Sequence, residues 1–177
     1  LGKIVEKVSG LKLDEYVKME FFEPLGMTRT MFKPPKERWN EVAPTEYDSL
    51  WRKKLVQGTV HDENAEFLGG VSGHAGLFSN ASDLAILMQM LMNGGTYGGK
   101  RYLESSTIAL FTKMQSEKSS RALGWDTKSP TGSSAGNFFS ANAFGSPGIC
   151  KTLPPVSIYL FLQETSYFPS SVLPTQQ

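Results

Sequence analysis

The sequence has 177 residues with a formal net charge of +1, and 40% of its residues are hydrophobic and 20% charged. This is the composition of a globular domain, and the near-zero charge gives no electrostatic reason to expect nucleic acid or an anionic membrane as a partner. The single cysteine, Cys150, excludes an intrachain disulfide and a cysteine-based zinc site. No apolar run approaches the roughly 20 residues of a membrane-spanning helix, so we expect no membrane span.

Two helices are predicted at the start of the chain. The apolar residues of the first recur with the spacing of one helix face: Leu1, Ile4, Val5 and Val8. Ser9-Gly10 ends this helix, and a second is predicted over residues 13–22, closed by Pro24 and Gly26. The opening residues carry no helix cap and no signal-peptide pattern, so we expect that upstream sequence is missing.

The middle of the chain is predicted to be irregular. Residues 27–60 contain three prolines and read mostly as loop, and a stretch of that length is more often functional than idle. Asp62 or Asn64 is expected to accept main-chain hydrogen bonds at a helix or turn start. The glycine-rich segment 69–76 indicates tight turns, and its His74, between two glycines, is expected to orient a loop.

Helices precede strands in the last part of the chain. Helices are predicted over 84–92 and over 107–114, the latter capped by Ser105. The remaining predictions are two strands, a loop and a disordered tail: 121–127, 156–162, 129–142 and 169–177. This order predicts an α+β fold with an antiparallel sheet, in a single domain over residues 1–168.

Five runs of the sequence together resemble the serine β-lactamase-related family, which includes class C β-lactamases and penicillin-binding-protein-like serine hydrolases. They are GKIVEKVSG (2–10), LDEYV (13–17), FEPLGMTRT (22–30), GHAGLFS (73–79) and RALGW (121–125). The resemblance covers roughly residues 1–148 and implies the C-terminal part of a β-lactamase/transpeptidase-like domain, hence an incomplete domain. It implies a small-molecule or peptide acyl substrate, no cofactor, no metal, and a periplasmic or secreted location. Some relatives are fused behind a glycoside hydrolase domain.

The mechanism that the resemblance implies needs three motifs. A serine nucleophile is activated by a lysine in Ser-x-x-Lys, Tyr-x-Asn or Ser-x-Asn relays a proton, and Lys-Thr-Gly or His-Thr-Gly on a strand meets the substrate. The first two motifs fall upstream of Leu1 in the family, so the chain is expected to be inactive alone. The third would fall at Ser146, Pro147 and Gly148, where Ser146 carries no positive charge and Pro147 has no N–H.

Three short look-alikes of these motifs occur in the chain. They are Ser9 with Lys12, Ser140 with Asn142, and Lys151 with Thr152. We interpret all three as chance matches, because motifs this short recur in any serine- and lysine-rich sequence.

Two other functions stay open beside the serine hydrolase. The chain could be a non-catalytic binding or scaffolding module that retains the fold, or a metal-dependent hydrolase that uses His61, Asp62 and His74, although the spacing is not that of a zinc site. The aromatic residues Tyr47, Trp51 and Trp39 either line a substrate cleft or pack locally. Residues 149–177 depart from the family pattern, and we interpret them as a diverged or frameshifted end.

Overall fold

The structure is a computed structural model that describes residues 1–129, 143–150 and 156–162. The chain divides into two compact units, one containing Leu1–Leu103 and the other beginning at Glu104. The single domain over 1–168 therefore stays a prediction. Most of the predicted loop at 129–142 and the whole predicted tail at 169–177 lie outside the described residues.

The first helix ends where the sequence predicts, and the second continues beyond its predicted end. Helix α1 is Gly2–Ser9, and Gly10 ends it with a φ of 75°. Helix α2, Leu13–Val17, passes into a π-helical turn and then into helix α3, Glu23–Leu25. Gly26 ends this helical stretch with a φ of 74°, as predicted. Pro24 does not stop it, because Pro24 lies in the first turn of α3, where a missing N–H costs no helical hydrogen bond.

Residues 27–60 contain short regular elements that their sequence did not predict. They are strand β1, Met31–Phe32; a 3₁₀-helix, Lys36–Glu41; strand β2, Glu46–Asp48; and strand β3, Lys54–Val56. Strands β2 and β3 pair as an antiparallel hairpin, with Tyr47 opposite Leu55. Strands of two or three residues give no periodicity to detect, which is why this stretch reads as loop.

The rest of the first unit surrounds a small core. Its elements are helix α4, Glu63–Phe67; strand β4, Leu77–Phe78; helix α5, Ala81–Met92; and the paired strands β5, Thr96–Tyr97, and β6, Lys100–Arg101. The buried apolar side chains come mainly from three places, the α2–α3 region, the β3–α4 region and the C-terminal half of α5: Leu13, Phe22, Leu25, Met27, Val56, Val60, Ala65, Met88, Met90 and Leu91. The core thus joins α5 to the irregular middle of the chain.

The last part of the chain, from Glu104 onwards, contains the antiparallel sheet that the sequence predicted. Helix α6 is Ser105–Thr112, and the strands are β7, Asp126–Thr127; β8, Phe144–Cys150; and β9, Val156–Leu162, in the order β7-β8-β9. Strand β7 pairs antiparallel with β8, and the rings of Trp125 and Phe144 meet edge to face at 5.4 Å. Within the described part of the chain, no helix combines the length and the apolar character needed to cross a membrane.

Candidate functional site

Two of the five runs that resemble the family are joined to each other. The first is FEPLGMTRT (22–30) and the second is GHAGLFS (73–79). Strand β1 follows the first run and pairs antiparallel with β4 in the second. Thr30 Oγ1 lies 2.8 Å from Asp83 Oδ2 and donates to it, and Ser79 Oγ lies 2.7 Å from Thr30 Oγ1. Asp83 is only 5% exposed and also accepts from the Arg29 N–H at 2.8 Å. Asp83, at the start of α5, therefore holds the end of the first run in place beside the second run.

Upstream of β4, the glycine-rich segment carries a hydrogen-bonded chain of three side chains. Ser72 Oγ lies 2.7 Å from His74 Nδ1, and His74 Nε2 lies 3.1 Å from Asp62 Oδ1. Asp62 is the N-cap of α4, where the same Oδ1 accepts from the Ala65 N–H at 2.8 Å. The cap role predicted for Asp62 is confirmed, and a second role, orienting His74, is added to it.

The protonation of this chain follows from the chemistry of Asp62. The Ala65 N–H and then the His74 ring hold the pKa of the Asp62 carboxyl below its usual value. An ionised carboxylate only accepts hydrogen bonds, so His74 Nε2 carries the hydrogen that it shares with Asp62. With the ring in its neutral form, this tautomer leaves Nδ1 as an acceptor for the Ser72 hydroxyl hydrogen. The three groups form a directional chain from hydroxyl to carboxylate.

A cavity of about 270 Å³ opens beside Ser72 and His74. Its lining combines the first turns of α1 with the segment that follows α4: Leu1, Gly2, Lys3, Glu6, Leu13, Leu68, Val71, Ser72, Gly73 and His74. The apolar part of the lining comes from Leu1, Leu13, Leu68 and Val71. The polar side chains come from two places, Lys3 and Glu6 on α1 and Ser72 and His74 on the glycine-rich segment. This distribution is that of a small-molecule pocket, in which a few polar groups orient a ligand against an apolar wall.

The backbone contact between Gly2 and Gly73 closes one side of this cavity. A Cβ on Gly73 would lie 2.8 Å from Gly2 N, and a Cβ on Gly2 would lie 3.2 Å from Gly73 N. Only glycine at both positions permits this approach without a shift of the backbone. Gly73 lines the cavity, and its N–H has no hydrogen-bond acceptor among the described residues.

His61 lies in a different environment from His74. Its Nε2 pairs with Glu46, and its carbonyl accepts from Arg52 Nη2 at 3.2 Å. The two histidines thus have different carboxylate partners. Among residues 1–129 and the described strands, no group of three or more His, Cys, Asp or Glu side chains has the geometry to hold a metal ion.

The look-alike at Ser9 and Lys12 is built into helix ends. Ser9 Oγ donates to the Val5 carbonyl at 2.8 Å and accepts from the Leu11 N–H at 3.2 Å. Lys12 is the residue before α2 and its main-chain N–H lies 3.3 Å from Glu15 Oε2. These contacts are those of a helix C-terminus followed by a helix N-terminus. The other two look-alikes, at 140–142 and 151–152, lie outside the described residues.

The position expected for the third motif lies on strand β8. Ser146, Pro147 and Gly148 occupy the middle of Phe144–Cys150, so this segment has the strand conformation that the family motif requires. A proline in a strand removes one donor from the ladder. The structure therefore places the three residues on the expected element, and the missing main-chain donor at Pro147 remains the main departure.

The aromatic residues of the middle segment divide between the two interpretations. Trp39 packs locally, with its Nε1 donating to the Pro34 carbonyl at 3.0 Å. Trp51 stacks on Phe67 of α4 with ring centroids 5.1 Å apart, and the Arg52 guanidinium lies 4.7 Å from the Trp51 ring. Phe67 is 76% exposed, so the stacked rings form an exposed apolar surface. Tyr47 is also exposed on the same hairpin.

Ser72 is the residue of the cavity that sequence reasoning did not identify. Its hydroxyl gains meaning only from His74 and from Asp62, which lies ten residues upstream of it. The Ser-Gly-His spacing, which sets the two side chains within reach across one glycine, was the available signal. Without knowledge that α4 returns Asp62 to this segment, that spacing alone is too common to assign a role.

Comparison with protein families gives one match that covers most of the chain. The model of the Beta-lactamase family matches residues 1–166. Among curated relatives, an Escherichia coli (strain K12) protein named "Putative D-alanyl-D-alanine carboxypeptidase" is 41% identical over 138 residues, which cover 71% of this chain and 32% of the relative. A protein of the same name from Salmonella typhi is 38% identical over the same extent. The chain therefore spans about a third of the length of the curated relatives it matches.

Solved structures share the fold at lower identity. A penicillin-binding protein homologue from Caulobacter crescentus aligns with a TM-score of 0.55 and 20% identity, over 81% of this chain and 43% of that one. A beta-lactamase from Mycobacterium bovis aligns with a TM-score of 0.51 and 17% identity, over 82% of this chain and 44% of that one. These likenesses establish the β-lactamase/transpeptidase-like fold.

Proposed function

The chain belongs to the beta-lactamase family, and we propose that the whole protein is a serine acyl hydrolase acting through an acyl-enzyme on β-lactam, peptide or ester substrates. Within these classes we favour peptides ending in D-alanyl-D-alanine, because the curated relatives carry a D-alanyl-D-alanine carboxypeptidase name. In this reaction a serine hydroxyl attacks the acyl carbon, the amine or alcohol leaves, and water then releases the acid.

The observation that carries this proposal is the contact between the glycine-rich segment and the first turn of α1. Gly73 approaches Gly2 so closely that neither position has room for a side chain without a backbone shift. By the family resemblance, the proton-relay motif enters α1 at this end. The segment containing Ser72 and His74 then forms a wall of the acyl-transfer cleft. The clamp of Thr30, Ser79 and Asp83 holds that wall in place.

The nucleophile in this proposal is a serine outside residues 1–177. Ser9, which matches the Ser-x-x-Lys pattern, uses its hydroxyl to satisfy Val5 and Leu11 at a helix end. A serine in that position lacks both the helix-start setting and the neighbouring base that an attacking hydroxyl needs. We therefore propose that the 177-residue chain does not form the family acyl-enzyme by itself.

A second candidate function rests on strand β8. Pro147 takes the place of a residue whose hydroxyl and N–H contact the substrate in the family motif, and it supplies neither group. Ser146 replaces a cationic or imidazole side chain and offers no positive charge to a substrate carboxylate. These two residues favour a non-catalytic binding module that retains the fold. A fused upstream glycoside hydrolase domain, implied by the resemblance, would fit either candidate.

Fluorescent penicillin and a peptide ending in D-alanyl-D-alanine separate the two candidates. The whole protein is expected to form a covalent penicilloyl adduct at the serine of its Ser-x-x-Lys motif and to release D-alanine. The 177-residue chain is expected to form no such adduct. A whole protein that is folded but inert to both probes would establish the binding module instead.

A matched pair of variants tests the role of β8. In the whole protein, Pro147→Thr restores the hydroxyl and the main-chain donor, and we expect D-alanine release to increase about 100-fold, the low end for one oxyanion-type donor. Ser106→Ala, at an exposed serine of α6, is the control and is expected to leave the rate unchanged. A penicilloyl adduct on the 177-residue chain would overturn the assignment of the nucleophile to another segment.

A further inference from the structure

The cavity beside α1 contains a nucleophilic arrangement that the family mechanism does not use. We propose that Ser72, His74 and Asp62 form an acyl-accepting group for small activated esters, distinct from the family nucleophile. The hydroxyl of Ser72 is the nucleophile, His74 is its base, and Asp62 orients the ring. The geometry behind this proposal is the unbroken chain of 2.7 Å and 3.1 Å contacts that ends on a carboxylate.

The direction of the hydrogen bonds prepares Ser72 for attack. Because Asp62 also caps α4, it keeps one fixed position, and it orients the His74 ring through Nε2. Nδ1 of the neutral ring then accepts the Ser72 hydroxyl hydrogen. Ser72 Oγ keeps its hydrogen in this state, and its lone pairs remain available for attack on an acyl carbon. As in the serine triads of many unrelated folds, a nucleophile, a base and an orienting carboxylate are linked in series. Here the two ring nitrogens are exchanged, so that Nδ1 meets the serine and Nε2 meets the carboxylate.

The cavity sets the size and chemistry of the substrate. Its volume of about 270 Å³ lies just under the usual range of small-molecule pockets, so it accepts a short acyl ester rather than an extended peptide. Leu13, Leu68 and Val71 give an apolar wall for an acyl chain or an aryl leaving group. Gly73 follows the nucleophile in the chain, and its N–H has no hydrogen-bond acceptor among the described residues. This N–H is the donor that we assign to a developing oxyanion.

The reaction balances with water as the only co-reactant. The bond between Ser72 Oγ and the acyl carbon forms as the hydroxyl proton passes to His74 Nδ1. The carbon–oxygen bond to the leaving alcohol then breaks, and the imidazolium returns its proton to that alcohol. Water attacks the acyl-serine, gives a proton to Nδ1, and the acid departs as Ser72 recovers its hydrogen. Asp62 balances the positive charge of the ring and stays ionised.

The experiment uses p-nitrophenyl acetate and a fluorophosphonate probe on the 177-residue chain. We expect a burst of p-nitrophenol, an acetyl group on Ser72 in peptide mass spectrometry, and fluorophosphonate labelling of the same residue. Ser72→Ala abolishes all three. Asp62→Asn, which keeps an oxygen to cap α4, lowers the burst rate about 100-fold, the low end of the effect of an acid–base group. Ser82→Ala, an exposed serine of α5 outside the cavity, is the control and changes nothing.

Two outcomes would overturn the proposal. If His74→Gln abolishes turnover while Ser72→Ala does not, the ring itself is the nucleophile and no serine site exists. If Ser72→Ala keeps its labelling with an unchanged melting temperature, the reactive group lies elsewhere. Both are distinct from failure of the proposed function, which is read with penicillin: an adduct with penicillin concerns the family nucleophile, and fluorophosphonate labelling at Ser72 concerns this site.

Discussion

Thr30 and Asp83, which lie 53 residues apart in the chain, share a buried side-chain hydrogen bond of 2.8 Å. The bond connects the end of the run FEPLGMTRT (22–30) to the first turn of α5. Asp83 Oδ2 also accepts from the Arg29 N–H, so one carboxylate oxygen satisfies two donors of the same run. The contact fixes the relative position of the two segments before any ligand is considered.

Removing the carboxylate should therefore destabilise the first unit. Asp83→Ala leaves the Thr30 hydroxyl and the Arg29 N–H without their acceptor, and we expect a loss of about 1–3 kcal/mol in the free energy of unfolding. Asp83→Asn keeps one carbonyl oxygen and should lose less. Urea unfolding measures both, with Ser82→Ala as the exposed control on the same helix turn. Equal stability of Asp83→Ala and Ser82→Ala would contradict the clamp.

Gly58 is required for space as well as for conformation. A Cβ there would lie 2.3 Å from the Trp39 ring, and that ring is held by its hydrogen bond to Pro34. Gly69 also has a positive φ, of 82°, yet a Cβ there meets nothing within 4 Å. We expect Gly69→Ala to cost about 1 kcal/mol from backbone strain alone, and Gly58→Ala to cost about 1–3 kcal/mol more. Thermal unfolding of the pair gives the difference, and equal costs would show that Trp39 yields freely.

The pH dependence of stability should depend on Asp48. Main-chain N–H groups of Trp51, Arg52 and Leu50 bond its carboxylate and, with Trp51 as the largest cause, lower its pKa. A carboxyl with a lowered pKa in the folded state stabilises the fold above its unfolded pKa, and that contribution is lost as pH falls through the folded pKa. Asp48→Asn should thus be less stable than the parent at pH 7 and should approach it near about pH 3. Urea midpoints at the two pH values test this, and a difference that grows on acidification would contradict it.

Ser9→Ala tests whether the Ser-x-x-Lys look-alike has any chemical role. The hydroxyl bridges Val5 and Leu11 at the end of α1, so its loss should cost about 0.5–1.5 kcal/mol of stability. Lys12→Gln, the second half of the pattern, should leave stability nearly unchanged. Neither variant should alter reaction with p-nitrophenyl acetate. A loss of that reaction in both variants, with folding intact, would make the pair a functional site.

The sequence predicted what local pattern determines. The helices α1, α5 and α6 were predicted within about three residues of their bounds, because apolar spacing and an end residue such as Gly10 act over one or two turns. The Asp62 cap was predicted for the same reason. The continuation of the second helix past Pro24 was missed, since a π-helical turn changes the register in a way that a period of 3.6 does not anticipate.

The site was less predictable, because its parts are distant in the sequence. The Ser72–His74 pair is local, but its link to Asp62 and the approach of Gly73 to Gly2 depend on contacts across 12 residues and about 70 residues. Strand β7 shows the same limit in the second unit. Seven residues were predicted over 121–127 and only Asp126–Thr127 pair with β8, because Gly124 at a φ of 86° interrupts the extended backbone.

The pairing of Phe32 with Leu77 brings the two ends of the 44-residue segment 33–76 side by side. This segment contains the 3₁₀-helix, the β2–β3 hairpin, α4 and His74, and it begins and ends at the pair of strands β1 and β4. Val56, Val60 and Ala65 anchor this segment in the core, whereas Leu50, between strands β2 and β3, is 88% exposed. Because closing a loop costs free energy that grows only slowly with loop length, the connection between β2 and β3 is where added residues would cost the fold least.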